Sequence, residues 1–367
     1  MPALNPPDRL LMGPGPSMVE PGVYEAMGKR IVSHVDPYFF EVVERINERL
    51  RLVFGTRNRF TMAISGTGTS GMETCLLNFV EPGEKLAVFA NGYFCDRITD
   101  IACRNGANVV RLEKPWGEWF EDAEAAAFIA RERPSVVAYV QAETSSGVFQ
   151  DGRAICAAAH EAGAIVIADC VTSLGGMPVR VDETGIDAAF SCTQKCLSCP
   201  PGLAPITVNE RAMEKLRARK DQVRSFYFDL KLLDDYYNQS HRFHHTAPVS
   251  MFYGLDAALE AVAAEGLEAR FERHRANHLA LVAGLEAMGL HLHVTDPSRR
   301  LWTLHTVRVP EGVDDAAVRR RLIAEHGIEI MGGFGPLAGK VFRIGLMGAS
   351  SKRENVGRLL SALKQVL

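Results

Sequence analysis

Short apolar runs alternate with helical stretches that carry one polar face between about residues 60 and 210. This alternation constrains the fold most, because strands separated by helices pack as strand-helix-strand units on a largely parallel sheet. The candidate strands are 86–90, 108–112, 136–140, 164–168, 188–191 and 204–207, and the candidate helices between them are 71–79, 94–104, 123–132 and 152–161. The sequence therefore predicts an α/β protein.

The pattern changes after Pro248. A long helical stretch rich in Ala, Leu and Glu reaches about residue 288, and it is followed by β-type alternation at 301–309, a helix at 314–325 and a strand at 340–344. We expect a large domain over residues 21–249 and a smaller α+β domain over residues 250–367, joined by a helix that begins near Ser250.

The composition favours a small-molecule enzyme. The 367 residues include 41 Lys and Arg against 44 Asp and Glu, and no long block of like charge is present. A nucleic-acid or membrane partner is therefore not expected. The first 16 residues lack a secretory pattern, and no apolar run approaches the roughly 18 residues that span a bilayer. We expect a cytoplasmic protein.

The eight cysteines have no regular disulfide spacing, and we expect them to be reduced. Cys196 and Cys199 form a Cys-x-x-Cys that, with Cys170 and Cys192, leaves a zinc site or a redox pair open. A lysine interrupts this group and no second pair exists, so buried thiols are the simpler interpretation and no metal is predicted. The adjacent pair at 244–245 should not chelate one ion, because neighbours in an extended segment point apart.

A run of Gly, Ser and Thr opens a helix at residues 64–73, Ile64-Ser65-Gly66-Thr67-Gly68-Thr69-Ser70-Gly71-Met72-Glu73. Free backbone N–H groups and hydroxyls converge there on the positive end of the helix dipole, which favours a phosphate. The run is not a Walker loop, because no Gly-Lys-Ser/Thr follows it, and a plain tight turn remains the alternative.

Asp169 ends the apolar run 165–168, and open α/β sheets bind ligands at the carboxyl ends of their strands. The carboxylate there could pair with a pyridinium N–H, bind a metal or cap a helix. Lys195 lies in the uncharged segment 191–202, before Pro-Pro-Gly. Lysine is usually a surface residue, but uncharged surroundings favour the neutral amine that forms a Schiff base with an aldehyde.

Arg343 stands within the apolar strand 341–345. A buried arginine requires an anion, which could be an internal carboxylate or a substrate carboxylate held by two hydrogen bonds. Phe94 could stack on a flat ring or simply pack in the core.

Taken in chain order, these motifs resemble the class V aminotransferases of pyridoxal-phosphate fold type I, and among them the alanine:glyoxylate and serine:glyoxylate (serine:pyruvate) group. The similarity covers nearly the whole chain, and its most specific segments are 13–16, 65–73, 142–147, 169–176, 193–202, 244–246, 328–333 and 339–345. The resemblance implies an α/β fold with a mostly parallel seven-stranded sheet in the large domain and a smaller C-terminal α+β domain. It also implies that residues 1–20 form an arm contributing to the active site and the small domain.

The resemblance further implies how pyridoxal 5'-phosphate is bound. Lys195 and Asp169 are the catalytic residues, one forming the Schiff base and the other holding the ring nitrogen. The implied phosphate contacts are Thr67, Gly68, Thr69 and Gln194, with Thr246 reaching the phosphate in the neighbouring subunit. The implied contacts to the ring are Phe94 over its face, Val171 beneath it and Thr144 near its phenolic oxygen. Arg343 clamps the substrate α-carboxylate.

The implied activity moves an amino group from alanine or serine to glyoxylate by a ping-pong mechanism in a homodimer with shared active sites. Alternatives are ureidoglycine or aspartate with glyoxylate, 2-aminoethylphosphonate with pyruvate, desulfuration, or a non-catalytic relative. A desulfurase should carry a cysteine in the loop at 330–345, and residues 330–343 contain none. The chain departs from the family at Phe243, where tyrosine is common, and at Phe94, where tryptophan or tyrosine is frequent.

Overall fold

The computed structural model describes residues 4–367. Its strands are β1 (Leu10–Leu11), β2 (Phe60–Ser65), β3 (Lys85–Ala90), β4 (Asn108–Glu113), β5 (Val136–Val140), β6 (Ala142–Glu143), β7 (Val148–Phe149), β8 (Ile165–Asp169), β9 (Ala188–Phe190), β10 (Leu203–Val208), β11 (Leu304–Arg308), β12 (Ile328–Glu329), β13 (Met331–Gly332) and β14 (Val341–Gly345). Its α-helices are α1 (Pro21–Met27), α2 (Pro37–Phe54), α3 (Gly68–Phe79), α4 (Tyr93–Arg104), α5 (Asp122–Glu132), α6 (Arg153–Glu161), α7 (Val181–Thr184), α8 (Glu210–Ala218), α9 (Leu230–Asn238), α10 (Val249–Glu265), α11 (Leu267–Glu286), α12 (Asp315–His326) and α13 (Arg353–Val366). Within this part of the chain, no helix combines the length and apolar character needed to cross a membrane.

The main sheet has seven strands in the order β2-β10-β9-β8-β5-β3-β4. Strands β9, β8, β5, β3 and β4 are parallel, whereas β10 is antiparallel to both of its neighbours. Helices pack against the sheet, and strands β5 and β8 are buried along their whole length, as expected for parallel strands that are covered on both faces. The predicted α/β fold with a mostly parallel seven-stranded sheet is confirmed.

The six predicted strands and four predicted helices between residues 60 and 210 are present, with small shifts at their ends. Strand β2 had not been predicted, because Thr61 and Ser65 interrupt its apolar character. In the structure, the hydroxyl groups of Thr61 and Thr207 pair across the sheet at 2.8 Å, so that these buried polar groups are satisfied. The predicted long helix to residue 288 is two helices, which meet at Gly266 with φ of 81°.

Two large hydrophobic cores organise the chain. The first surrounds the seven-stranded sheet and includes residues from helix α10, and the second joins helices α11, α12 and α13 to strand β14. The three-stranded antiparallel sheet β11-β14-β13 belongs to the second region, and strand β1 pairs in parallel with β12. Residues 4–20 of the expected arm therefore include a strand of the C-terminal region, while residues 1–3 lie outside the described part. The division at residue 250 stays a prediction.

The strand directions bring three chain segments to one edge of the sheet. Strands β8 and β9 run parallel, so the segments that follow them leave at the same edge. Strand β2 points the same way as β9, since both are antiparallel to β10. The residues after β2, β8 and β9 consequently converge where α/β sheets bind ligands.

Candidate active site

The Gly, Ser and Thr run forms the beginning of helix α3. Thr67 is the N-cap, and its side chain makes no capping hydrogen bond, which leaves backbone N–H groups of the first turn open to a ligand. A Cβ added to Gly68 would lie 3.0 Å from Cys192 Cβ and 3.5 Å from Val171 Cγ2. The cradle therefore adjoins the segments that follow β8 and β9. Arg97 Nη1 donates to Thr69 Oγ1 at 3.1 Å and adds positive charge beside it.

Asp169 is the last residue of β8, with only 2% of its surface exposed. The backbone N–H of Val171 donates to its Oδ1 at 2.8 Å. Burial raises the pKa of the Asp169 carboxyl group to about 7, and the N–H of Val171 partly offsets this rise. The positive charges of Lys195 and Arg97 also favour the ionised carboxylate. A carboxylate in this setting gains from a cationic partner, and a pyridinium ring nitrogen is one.

Lys195 lies on the loop after β9, and its side chain is half-buried. Burial lowers the pKa of its amine, so that more of the neutral form is present at a given pH. Its Nζ donates to the carbonyl of Pro14, and Ser17 Oγ donates to the Lys195 carbonyl at 2.6 Å. The arm thus packs directly against the lysine. Gly15 has φ of 108°, which favours glycine, and a Cβ there would lie 2.7 Å from Nζ and would displace the amine.

Arg343 is central in β14 and is 3% exposed. Its Nε donates to the Gly332 carbonyl at 2.7 Å, and its Cζ lies 3.9 Å from the ring centroid of Phe334. Nη1 is 3.5 Å from the Thr144 carbonyl. Burial lowers the pKa of the guanidinium to about 10. Among residues 4–367, no carboxylate lies within 4.0 Å of it, so the internal salt bridge considered from the sequence is not formed there.

The other predicted contacts are distributed around these groups. Phe94 is partly buried in the first turn of α4, and Thr144 Oγ1 lies 2.5 Å from Thr172 Oγ1. Gln194 Oε1 is buried without a hydrogen-bond partner. A phosphate accepts hydrogen bonds, so it would be contacted by the Nε2 donor of this amide and not by its acceptor oxygen. Thr246 is exposed, and the single chain does not bring it into hydrogen-bonding contact with the other predicted site residues.

Two residues near the site were missed from the sequence. Glu143 is fully buried and follows the strand next to β8, so the reasoning that found Asp169 would also have found it. Phe334 stacks on Arg343, and it stands as a single aromatic residue among glycines at 332–335. Such isolation is a usable signal for a residue that faces a site rather than a core.

The cysteines and histidines near the site form no metal cluster. Within residues 4–367, no group of three or more His, Cys, Asp or Glu side chains is placed to hold a metal ion. Burial raises the pKa of the thiols of Cys192 and Cys196, to about 12 and about 11, so both stay protonated. The expectation that His244 and His245 point apart is wrong. Their Nδ1 atoms lie 2.8 Å apart, because the chain bends before α10 and is not extended there.

The fold and the groups at this sheet edge define an α/β enzyme with an amine of lowered pKa, a buried carboxylate and an open helix N-terminus. The family model for class V aminotransferases matches residues 22–359, and the chain belongs to this family. Enzymes of this family and fold type depend on pyridoxal 5'-phosphate, and the chain is accordingly a transaminase that uses this cofactor.

Several relatives are similar over nearly the full length. The chain is 41% identical to (S)-ureidoglycine–glyoxylate transaminase of Bacillus subtilis (strain 168), covering 98% of this chain and 91% of the relative. It is 38% identical to alanine–glyoxylate aminotransferase of Callithrix jacchus, covering 99% and 89%. The crystal structure of alanine–glyoxylate aminotransferase from Nostoc sp. matches with a TM-score of 0.98 at 45% identity, covering 100% and 97%.

Proposed function

We propose that this transaminase moves the amino group of a small L-amino acid, alanine or serine, to glyoxylate by a ping-pong mechanism. The observation that carries the proposal is the buried guanidinium of Arg343, which has no carboxylate partner among residues 4–367. A buried cation of this kind is suited to a substrate carboxylate. The names of the relatives from Nostoc sp. and Callithrix jacchus support alanine and glyoxylate as the pair of substrates.

Each residue of the proposed site would have a separate role in the reaction. Pyridoxal phosphate supplies an aldehyde that joins to amines and a ring that withdraws electrons. The start of helix α3 (67–69) and Gln194 would hold the phosphate, and the Asp169 carboxylate would hold the ring nitrogen in its protonated form. Lys195, whose amine pKa is lowered by burial, would take the substrate α-proton on Nζ and return it to cofactor atom C4'. Arg343 would fix the α-carboxylate during both half-reactions.

The surroundings of Arg343 favour a substrate with a small uncharged side chain. The Phe334 ring covers the guanidinium, and the Tyr93 ring lies 5.2 Å from that of Phe334. These two aromatic rings offer an apolar surface to an uncharged side chain. Ureidoglycine remains the second candidate donor, because its side chain is uncharged and the Bacillus subtilis relative is named for it.

We also propose a homodimer with shared active sites and a cytoplasmic location. Thr246 is exposed in the single chain, which leaves its hydroxyl available to a second subunit. An exposed residue of this kind is what the proposed contact with the neighbouring phosphate requires.

A half-reaction screen tests the substrates. The cofactor-loaded protein is mixed with alanine, serine, ureidoglycine or aspartate, and its absorption is followed as the cofactor changes from the pyridoxal to the pyridoxamine form. Glyoxylate and pyruvate are then tested for reversal. We expect conversion with alanine or serine and reversal with glyoxylate. Conversion by ureidoglycine alone would replace the proposed donor.

Two variants test the assigned roles in the same screen. Lys195→Ala should abolish conversion and prevent covalent trapping of the cofactor by borohydride, as measured by mass spectrometry. A Lys195→Ala protein with normal turnover would overturn the assignment. Arg343→Lys should raise the KM for the amino donor about 10- to 100-fold and leave cofactor binding unchanged, because an ammonium ion cannot reproduce the two parallel hydrogen bonds of a guanidinium.

A further inference from the structure

Helix α4, which carries Phe94 in its first turn, has no N-terminal cap of its own. Its N-cap residue is Gly92, and no side chain of the helix or its N-cap accepts from the first free N–H groups. Uncapped N–H groups in a buried helix start cost stability unless another segment supplies acceptors. The acceptors here come from the last residue of strand β6 and from the segment that follows it.

Glu143 and Ser145 supply that cap. Glu143 Oε2 accepts from the N–H of Phe94 at 3.1 Å, and Ser145 Oγ accepts from the N–H of Tyr93 at 2.9 Å. Glu143 Oε1 in turn accepts from the N–H and the hydroxyl of Ser145 at 2.9 and 2.7 Å. One carboxylate therefore connects the start of the helix with the segment that also carries Thr144.

The packing shows that this carboxylate has a fixed place. Glu143 is fully buried, and a Cβ added to Gly92 would lie 2.2 Å from its Cγ, so the helix start approaches the side chain as closely as glycine permits. Among residues 4–367, no Lys, Arg or His lies within ion-pair distance of it. Its donors are the N–H of Phe94 at the positive end of the α4 dipole, the Cys95 thiol at 3.7 Å, and the N–H and hydroxyl of Ser145. A buried carboxylate without an ion-pair partner is costly to maintain, which points to a role beyond packing.

We infer that Glu143 is a positioning residue that fixes Phe94 over the ring of the cofactor by capping helix α4 from another strand. This inference rests on the proposed role of Phe94 as the residue that covers the ring. Loss of the carboxylate would release the first turn of α4 and loosen the contact between the Phe94 side chain and the ring.

A double-mutant cycle on the full-length protein tests the inference. The cofactor is removed, and the affinity for pyridoxal 5'-phosphate is measured by titration in wild type, Glu143→Gln, Phe94→Leu and the double variant. A glutamine amide has one acceptor oxygen, so it cannot accept from both Phe94 and Ser145 as the two carboxylate oxygens do. Glu143→Gln should therefore weaken cofactor binding about 10-fold in the wild-type background. In the Phe94→Leu background the same change should weaken binding less than about 2-fold, because the ring contact is already lost. The visible circular dichroism of the bound cofactor should change with Glu143→Gln as well.

Equal losses in both backgrounds, or no loss in either, would overturn the inference. Unchanged affinity in Phe94→Leu alone would instead remove the proposed ring contact, and the inference with it. Asp314→Asn is the matched control, since it removes a charge at the N-cap of helix α12, and it should leave cofactor affinity unchanged. If Glu143→Gln does not fold, Ser145→Ala takes its place in the cycle, because it removes the hydroxyl that joins Tyr93 N–H to Glu143.

Discussion

At the residue scale, burial favours the neutral form of the Asp169 carboxyl group in the cofactor-free protein, whereas its proposed contact with the ring nitrogen requires the ionised form. Burial raises the pKa of its carboxyl group to about 7, whereas the ordinary value of aspartate is near 4. The folded protein without cofactor therefore binds this proton more tightly than the unfolded chain does. The resulting loss of stability is absent below about pH 4, grows between about pH 4 and 7, and is complete above about pH 7.

Asp169→Asn should consequently stabilise the cofactor-free protein, by between about 1 and 4 kcal/mol at pH 8 and by less at pH 5. The amide oxygen can still accept from the N–H of Val171, so the fold keeps this hydrogen bond. The same variant loses the anion that we propose for the ring nitrogen, and its cofactor affinity should fall more than about 10-fold. Thermal melts at both pH values, with and without cofactor, measure the two effects. A variant less stable than wild type at pH 8 would contradict this account.

The residues that could be predicted from the sequence are those whose chemistry conflicts with their surroundings. Asp169, Lys195 and Arg343 are charged residues within apolar or uncharged segments, and such conflicts indicate function. The contact between Lys195 and the Pro14 carbonyl could not be predicted, because it joins segments 181 residues apart. The bend that brings the imidazoles of the 244–245 pair together was missed for a similar reason, since it depends on tertiary packing.

At the element scale, the N-terminal arm is held between the lysine loop and strand β14. The N–H of Ser17 donates to the Gln194 carbonyl at 2.9 Å, and the N–H of Gly345 donates to the Met12 carbonyl at 2.7 Å. The arm therefore contacts both the segment of Lys195 and the strand of Arg343. Its position should affect activity even though it contributes little to the main core.

Gly15→Ala should reduce turnover far more than stability. The added Cβ would lie 2.7 Å from Lys195 Nζ, and the backbone at residue 15 has φ of 108°. Gly163→Ala is the matched control, because φ there is 79° and nothing lies within 4 Å of the added Cβ. Each change should cost about 1 to 2 kcal/mol of backbone strain, measured by chemical denaturation. Only Gly15→Ala should lower kcat, by at least about 10-fold. Equal kcat values in the two variants would show that the contact between the arm and Lys195 does not determine the rate.

Secondary-structure elements were predicted well where one hydrophobic pattern runs through the whole segment, and poorly where polar residues or a glycine interrupt that pattern. The strands at 136–140 and 164–168 are continuous apolar runs, whereas β2 contains hydroxyl groups that find their partners only in the folded structure, Thr61 on β10 and Ser65 at His245. Helix α13 has a clear apolar face, although it had not been predicted. The break at Gly266 is visible in the sequence only as one glycine within a long helical pattern.

At the scale of the whole molecule, the proposed shared active site predicts complementation between two defective subunits. Lys195→Ala and Thr246→Glu should each be inactive, the first through loss of the amine and the second through a negative charge against the neighbouring phosphate. After the two proteins are mixed and allowed to exchange subunits, about half of the dimers are mixed and each holds one intact site. About one quarter of wild-type turnover should return. The control pairs Lys195→Ala with Asp169→Ala, which the structure places at the same sheet edge of one chain, so their mixed dimers contain no intact site. No recovery in the first mixture despite verified exchange would show that Thr246 does not act across the interface. Recovery in the control would show that Lys195 and Asp169 of one chain do not serve the same site.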